Sequence, residues 1–75
     1  MGVITVINNS SEDVYVKVTK SDDSGSEAWY TLKANGGKDT WSRDNNQVVC
    51  FVRSQTPGVL VETVLGVPGS TVNIY

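Results

Sequence analysis

Trp29 and Trp41 flank the stretch "YTLKANGGKDT", and Arg43, Asp44, Asn45 and Gln47 follow the second indole closely. A flat ring beside Arg, Asp, Asn and Gln is the side-chain set that sugar recognition uses. The indole offers an apolar face for stacking, and the fork-like polar groups hydrogen-bond neighbouring hydroxyls. Asp39 adds a further acceptor from across the glycine turn. The expectation is a lectin-like binding protein for glycans or glycolipid head groups, with Trp29, Asp39, Trp41, Arg43, Asp44, Asn45 and Gln47 as its ligand-binding residues. The same tryptophans admit two other uses. Trp41 would serve equally to close the open end of a two-sheet core, and Trp29 to cover a dimer interface, where Trp and Tyr are favoured anchors.

Other chemistry is poorly supplied. The chain has no histidine, so the commonest general base and the usual triad partner are missing. Cys50, the only cysteine, lies inside "VVCFV", an apolar setting that raises a thiol pKa and blocks access; it reads as a small core hydrophobe. Asp22, Asp23, Glu27, Asp39 and Asp44 lie in or beside turns, where solvated carboxylates are the norm. "DDSGSE" superficially suggests calcium, but its glycine is misplaced for an EF-hand loop and its flanks read as strands. One thiol without histidine does not make a zinc site. The expectation is a protein that is not an enzyme and uses no metal or other cofactor.

Six basic and eight acidic residues give a net charge of −2 without charge runs. That balance lacks the basic face of a nucleic-acid binder and the polybasic segment that docks on anionic membranes. No apolar stretch approaches the ~20 residues of a membrane span. "MGVITVINNS" has no basic leader region and turns polar after Ile7, so a cytoplasmic location is expected; a secreted mature form would read the same. Two overlapping sequons at Asn8 and Asn9 matter only after export and otherwise read as turn composition.

The elements that must position these residues alternate with period two, and nothing repeats at 3.6. Val3 to Ile7, "VYVKVTK", "WYTLKA", "KDTWSR", "QVVCFVR", "VLVETVL" and "TVNIY" read as strands separated by turn chemistry. The fold class is therefore all-β, an antiparallel sandwich or small barrel of six to seven short strands, in a single domain spanning residues 1–75. The expected core is Ile4, Val6, Val14, Val16, Val18, Tyr30, Leu32, Val48, Cys50, Val52, Val59, Val61, Leu65, Val72 and Ile74. "QVVCFVR" is expected to be central and covered on both faces. In "VLVETVL", Glu62 marks Leu60 and Val64 as the more exposed set. "NGG" marks a turn, because Asn and Gly accept positive φ cheaply.

A chain of 75 residues buries only roughly 60% of its unfolded surface. With neither a disulfide nor a metal to compensate, a homo-oligomer is expected, most simply a symmetric dimer. "KDTWSR" is polar enough to be a blunted edge, whereas "VITVI" and "TVNIY" are not, so one of those two should pair across the interface or be hidden in a sheet. The alternative function follows from the same strands: a structural or regulatory interaction module that works by sheet-edge pairing or self-association.

"ITVINNSSEDVYVKV" followed by "WYTLKANGGKDTW" resembles the opening half of the aegerolysins, compact fungal β-sandwich proteins. The shared order is an N-terminal strand, an Asn/Ser turn, a valine-rich strand, then an aromatic strand and a glycine turn. The resemblance covers about half the chain. The chain is shorter than an aegerolysin and lacks the cysteine-containing segment. Thaumatin-like proteins open similarly, but their disulfide framework is absent. The aegerolysin resemblance implies a cytosolic, non-enzymatic protein that recognises lipid or glycan surfaces, and it transfers no functional residue.

Overall fold

The computed structural model describes residues 2–20, 27–53 and 60–75. They form seven strands: β1 (Gly2–Asn8), β2 (Val14–Val18), β3 (Tyr30–Leu32), β4 (Gly37–Arg43), β5 (Gln47–Val52), β6 (Glu62–Gly66) and β7 (Thr71–Ile74). Two open sheets result, one in the order β4-β1-β7 and one in the order β3-β2-β5-β6. Ile4, Val6, Trp41 and Ile74 of the first sheet share one buried cluster with Val14, Val16, Val18, Leu32, Val49 and Phe51 of the second. The fold is all-β, and neither sheet closes into a barrel.

Strict alternation explains β1 and β2. Ile4 and Val6 point inward from β1, and Val14, Val16 and Val18 from β2, while the residues between them reach the outer faces. "VITVI" is hidden between β4 and β7, and "KDTWSR" is an edge strand, β4. The pairing is not antiparallel throughout, because β7 lies parallel to β1. The turn before β7 explains this. Gly69 N–H donates to the Val3 carbonyl at 2.8 Å and Thr5 N–H to the Ser70 carbonyl at 3.2 Å. Strand β7 therefore begins beside the start of β1 and runs alongside it.

The "NGG" turn moves the chain from one sheet to the other, joining β3 to β4. Asn35 and Gly36 take φ of 63° and 111°, the left-handed region that Gly and Asn tolerate best. A Cβ on Gly37 would run into the Lys33 carbonyl. The turn is held by Asn8, which is fully buried. Its Nδ2 donates to the carbonyls of Glu12, Leu32 and Lys33 at 2.7, 3.0 and 3.3 Å. Its Oδ1 accepts from Ser10 N–H and Ser10 Oγ at 3.0 and 2.6 Å. Its main-chain carbonyl accepts from Gly36 N–H at 2.7 Å. One amide side chain thus ties the end of β1 to the end of β3.

Several expected core residues lie elsewhere. Strand β5 presents Gln47, Val49 and Phe51 inward, so Val48, Cys50 and Val52 lie on the outer face. Both faces of "QVVCFVR" are apolar, so alternation alone does not choose between them, and a one-residue shift reverses every side chain. Val48 is exposed and Cys50 and Val52 are half-buried, so that face is not covered as expected. Tyr30 sits at the margin, exposed, with its ring edge-on to Trp41. Val61 and Leu65 are exposed: Leu65 lies opposite Val48 on the outer face of its sheet, and Val64, expected to be the more exposed, shares the inward side of β6 with buried Gly66. Val72 is partly buried against the core. Val59 lies outside the described residues.

Asp13 fastens the same end of the sandwich. Its carboxylate accepts from Ala34 N–H at 3.0 Å and lies 3.4 Å from Lys33 Nζ. The Ala34 amide chiefly holds this carboxyl below the usual aspartate range against an opposing desolvation, and Lys33 adds to the lowering. A depressed folded pKa gives stability that is present above the unfolded pKa and lost as pH falls through the folded one. Urea midpoints measured from neutral to acid pH should therefore fall less steeply for Asp13→Asn than for the wild type below about pH 4. Identical acid limbs would contradict this role.

Candidate functional site

The seven residues expected to bind a ligand divide into an interior group and a surface group. Trp41, 4% exposed, belongs to the core. Its position explains why: Trp41 pairs with Ile4 in β4–β1 and points between the sheets as Ile4 does. The Tyr30 ring meets it at 6.0 Å and 68°, the edge-to-face arrangement aromatic pairs favour. The indole has no free face for a sugar.

Arg43 and Gln47 are also buried. Arg43 Nε donates to the Thr19 carbonyl at 2.8 Å, Nη2 to the Val18 carbonyl at 3.1 Å and Nη1 to the Ser42 carbonyl at 2.7 Å. Thr19 Oγ1 donates to Gln47 Oε1 at 2.7 Å and accepts from Val48 N–H at 2.9 Å. The guanidinium of β4 thereby holds the end of β2 in the opposite sheet. Trp41, Arg43 and Gln47 thus lie in the interior, the two polar side chains bonded within the fold. Buried polar groups need such partners; among the described residues no buried side-chain N or O lacks one.

Trp29, Asp39, Asp44 and Asn45 are on the surface. Trp29 is 45% exposed, and Lys17 Nζ lies 5.4 Å from its ring centroid, within cation–π range. Asp39 Oδ1 accepts from Thr40 N–H at 2.8 Å. Glu27 binds Lys20 N–H at 2.8 Å; Asp22, Asp23 and most of "DDSGSE" lie outside the described residues. No group of three or more His, Cys, Asp or Glu side chains capable of holding a metal occurs among the described residues. None of them forms a helix long and apolar enough to cross a membrane.

Sequence reasoning missed the most exposed apolar feature. Strand β6 hydrogen-bonds to β5 and ends its sheet. Leu60, Val61 and Leu65 are 81%, 53% and 60% exposed, and Val64, Val67 and Val48 are also exposed. Only Gly66 of β6 is buried, where an added Cβ would lie 2.8 Å from Val49 Cγ2 and 3.1 Å from Ile4. Strand β6 thus approaches the core at its last residue and overhangs it elsewhere.

The direction of the free hydrogen-bonding groups follows from the register. Val48 directs both its carbonyl, which accepts from Thr19 N–H at 3.0 Å, and its N–H toward β2. Alternation then turns the main-chain groups of Gln47, Val49 and Phe51 toward β6. Their partners are Gly66, Val64 and Glu62. The N–H and C=O groups of Thr63 and Leu65 consequently point outward along the edge. Leu65 and Val48 are directly opposite across the β5–β6 pair, as are Thr63 and Cys50, so the edge continues into a half-apolar outer face.

No protein-family model, curated protein or solved structure matches the chain.

The two tryptophans should respond differently to truncation. Trp41→Ala should cost about 3–5 kcal/mol, as burial of a large aromatic implies, whereas Trp29→Ala should cost less than about 1 kcal/mol. Chemical denaturation of both variants checks this. Equal losses would contradict the placement of Trp41.

Proposed function

We propose that this protein is a non-catalytic binding module that engages other polypeptide chains by strand addition at β6. The observation that carries the reading is an edge strand with outward N–H and C=O groups on Thr63 and Leu65, flanked by exposed Leu60, Val61, Val64 and Leu65. The other edges are shorter or more polar. Strand β3 has three residues, β4 carries Lys38, Asp39 and Arg43, and β7 exposes Thr71 and Asn73. A long apolar edge is a pairing template unless something covers it. Main-chain bonds would supply affinity, and the alternating Val61, Thr63 and Leu65 side chains would supply preference for the partner. This reading uses a different strand from the terminal ones that sequence alone favoured.

Glycan or glycolipid binding is a second reading, and the exposed indole of Trp29 favours it. In this form the site reduces to Trp29 with Asp39, Asp44 and Asn45 as candidate polar groups. Lys17 over the ring would have to move aside or join the contact.

A displayed library of extended peptides, followed by amide-shift mapping of the binders it yields, separates the two. Shifts centred on Thr63 and Leu65, with affinity reduced at least tenfold by Leu65→Lys, are expected. Failure to obtain a peptide binder, together with glycan-array hits abolished by Trp29→Ala, would replace the first reading by the second.

A further inference from the structure

We infer that the chain that pairs with β6 is a second copy of this protein, joined antiparallel about a two-fold axis at Val64. This rests on the reading of β6 as the binding edge and names its occupant. In that register Thr63 of one copy faces Leu65 of the other, and both direct their N–H and C=O groups outward. Each such pair exchanges both hydrogen bonds of a closely spaced antiparallel pair, and the symmetry repeats them. An isologous contact needs this self-complementarity.

Side chains and charge fit the same register. Val64 meets Val64 of the second copy, while Glu62 faces Gly66 and no like charge. Glu62 is already paired with Arg53 at 2.6 Å, and Arg53 Nη1 donates to the Tyr75 carbonyl at 2.7 Å. The edge therefore brings no uncompensated carboxylate to the axis. A register shifted to place Glu62 opposite Glu62 would set like charges together, which is destabilising.

The apolar surface is large enough to matter. The exposed parts of Leu60, Val61, Val64, Leu65 and Val67 come to several hundred Å² in each copy, against roughly 800 Å² per partner in a standard interface. The overhang also explains why the second copy helps. Val64 lies on the same side of β6 as Gly66, which faces the core, and a mate brings its own Val64 beside it. Two four-stranded sheets become one continuous sheet, and the apolar edges of both disappear.

Light scattering should give a dimer for the wild-type protein at about 100 μM, a concentration ample for a micromolar association. Thr63→Pro removes an outward N–H and leaves the bonds from β6 to β5 in place; it should yield a monomer with an unchanged far-UV spectrum. In a Cys50→Ser background, Val64→Cys should cross-link on mild oxidation, because residues opposite each other at the axis lie about 4.5 Å apart between Cα atoms. Leu65→Cys should not cross-link, since its symmetry mate lies beyond the ~7 Å limit. Equal cross-linking of both cysteine variants, or of neither, would overturn the register. A wild-type monomer that still binds selected peptides at β6 would overturn the second copy and leave the strand-addition reading intact. A dimer unaffected by Thr63→Pro, with no peptide binding at β6, would overturn both.

Discussion

A four-stranded sheet lying over a three-stranded one leaves a strand without cover, and the rest of this structure follows from that mismatch. Sequence position decides which strand it is. Strand β1 collects β4 and β7 on its two sides, and the central β2–β5 pair supplies most of the opposing apolar side chains. Strand β6 is added last to the larger sheet and reaches the core only through Gly66. The hydrophobic effect would favour covering its Val and Leu side chains, but the chain has too few strands left to do so.

Two buried polar side chains hold the layers in that arrangement. Asn8 ties β1 to the end of β3 at one end, through the Leu32 and Lys33 carbonyls. Arg43 ties β4 to the end of β2 at another, through the Val18 and Thr19 carbonyls. Both make side chain to main chain bonds between sheets, so each fixes the relative placement of the layers as well as satisfying buried groups. Small domains have thin cores, and such fixed contacts compensate for the disulfides that a single cysteine cannot form. They also consume residues that composition alone would assign to a ligand.

Much of the fold was legible. Turn chemistry between short apolar segments marked the strands, and alternation is clearest in β2, where Val14, Val16 and Val18 alternate with Tyr15, Lys17 and Thr19. The polarity of "KDTWSR" marked an edge strand. The facing of β5 was not legible, because Val48, Val49, Cys50, Phe51 and Val52 make both faces apolar and the choice rests on tertiary contact. The candidate site was legible only in part. Trp41 was singled out by its polar neighbours, yet those neighbours, Arg43 and Gln47, are themselves interior and bonded to Val18, Thr19 and Ser42. In "VLVETVL", alternating apolar residues imply a covered face. Whether another layer lies above that face depends on how many strands the opposite sheet has, and no local pattern encodes that number.

Hydrogen exchange at individual amides of β6 tests the central claim most directly. Val64 N–H, directed to β5, should be protected at every protein concentration. Thr63 and Leu65 N–H, directed outward, should exchange freely in dilute protein and become protected as concentration rises into the range where a second copy binds. Protection of Val64 alone, with Thr63 and Leu65 exchanging freely and independently of concentration, would contradict the account.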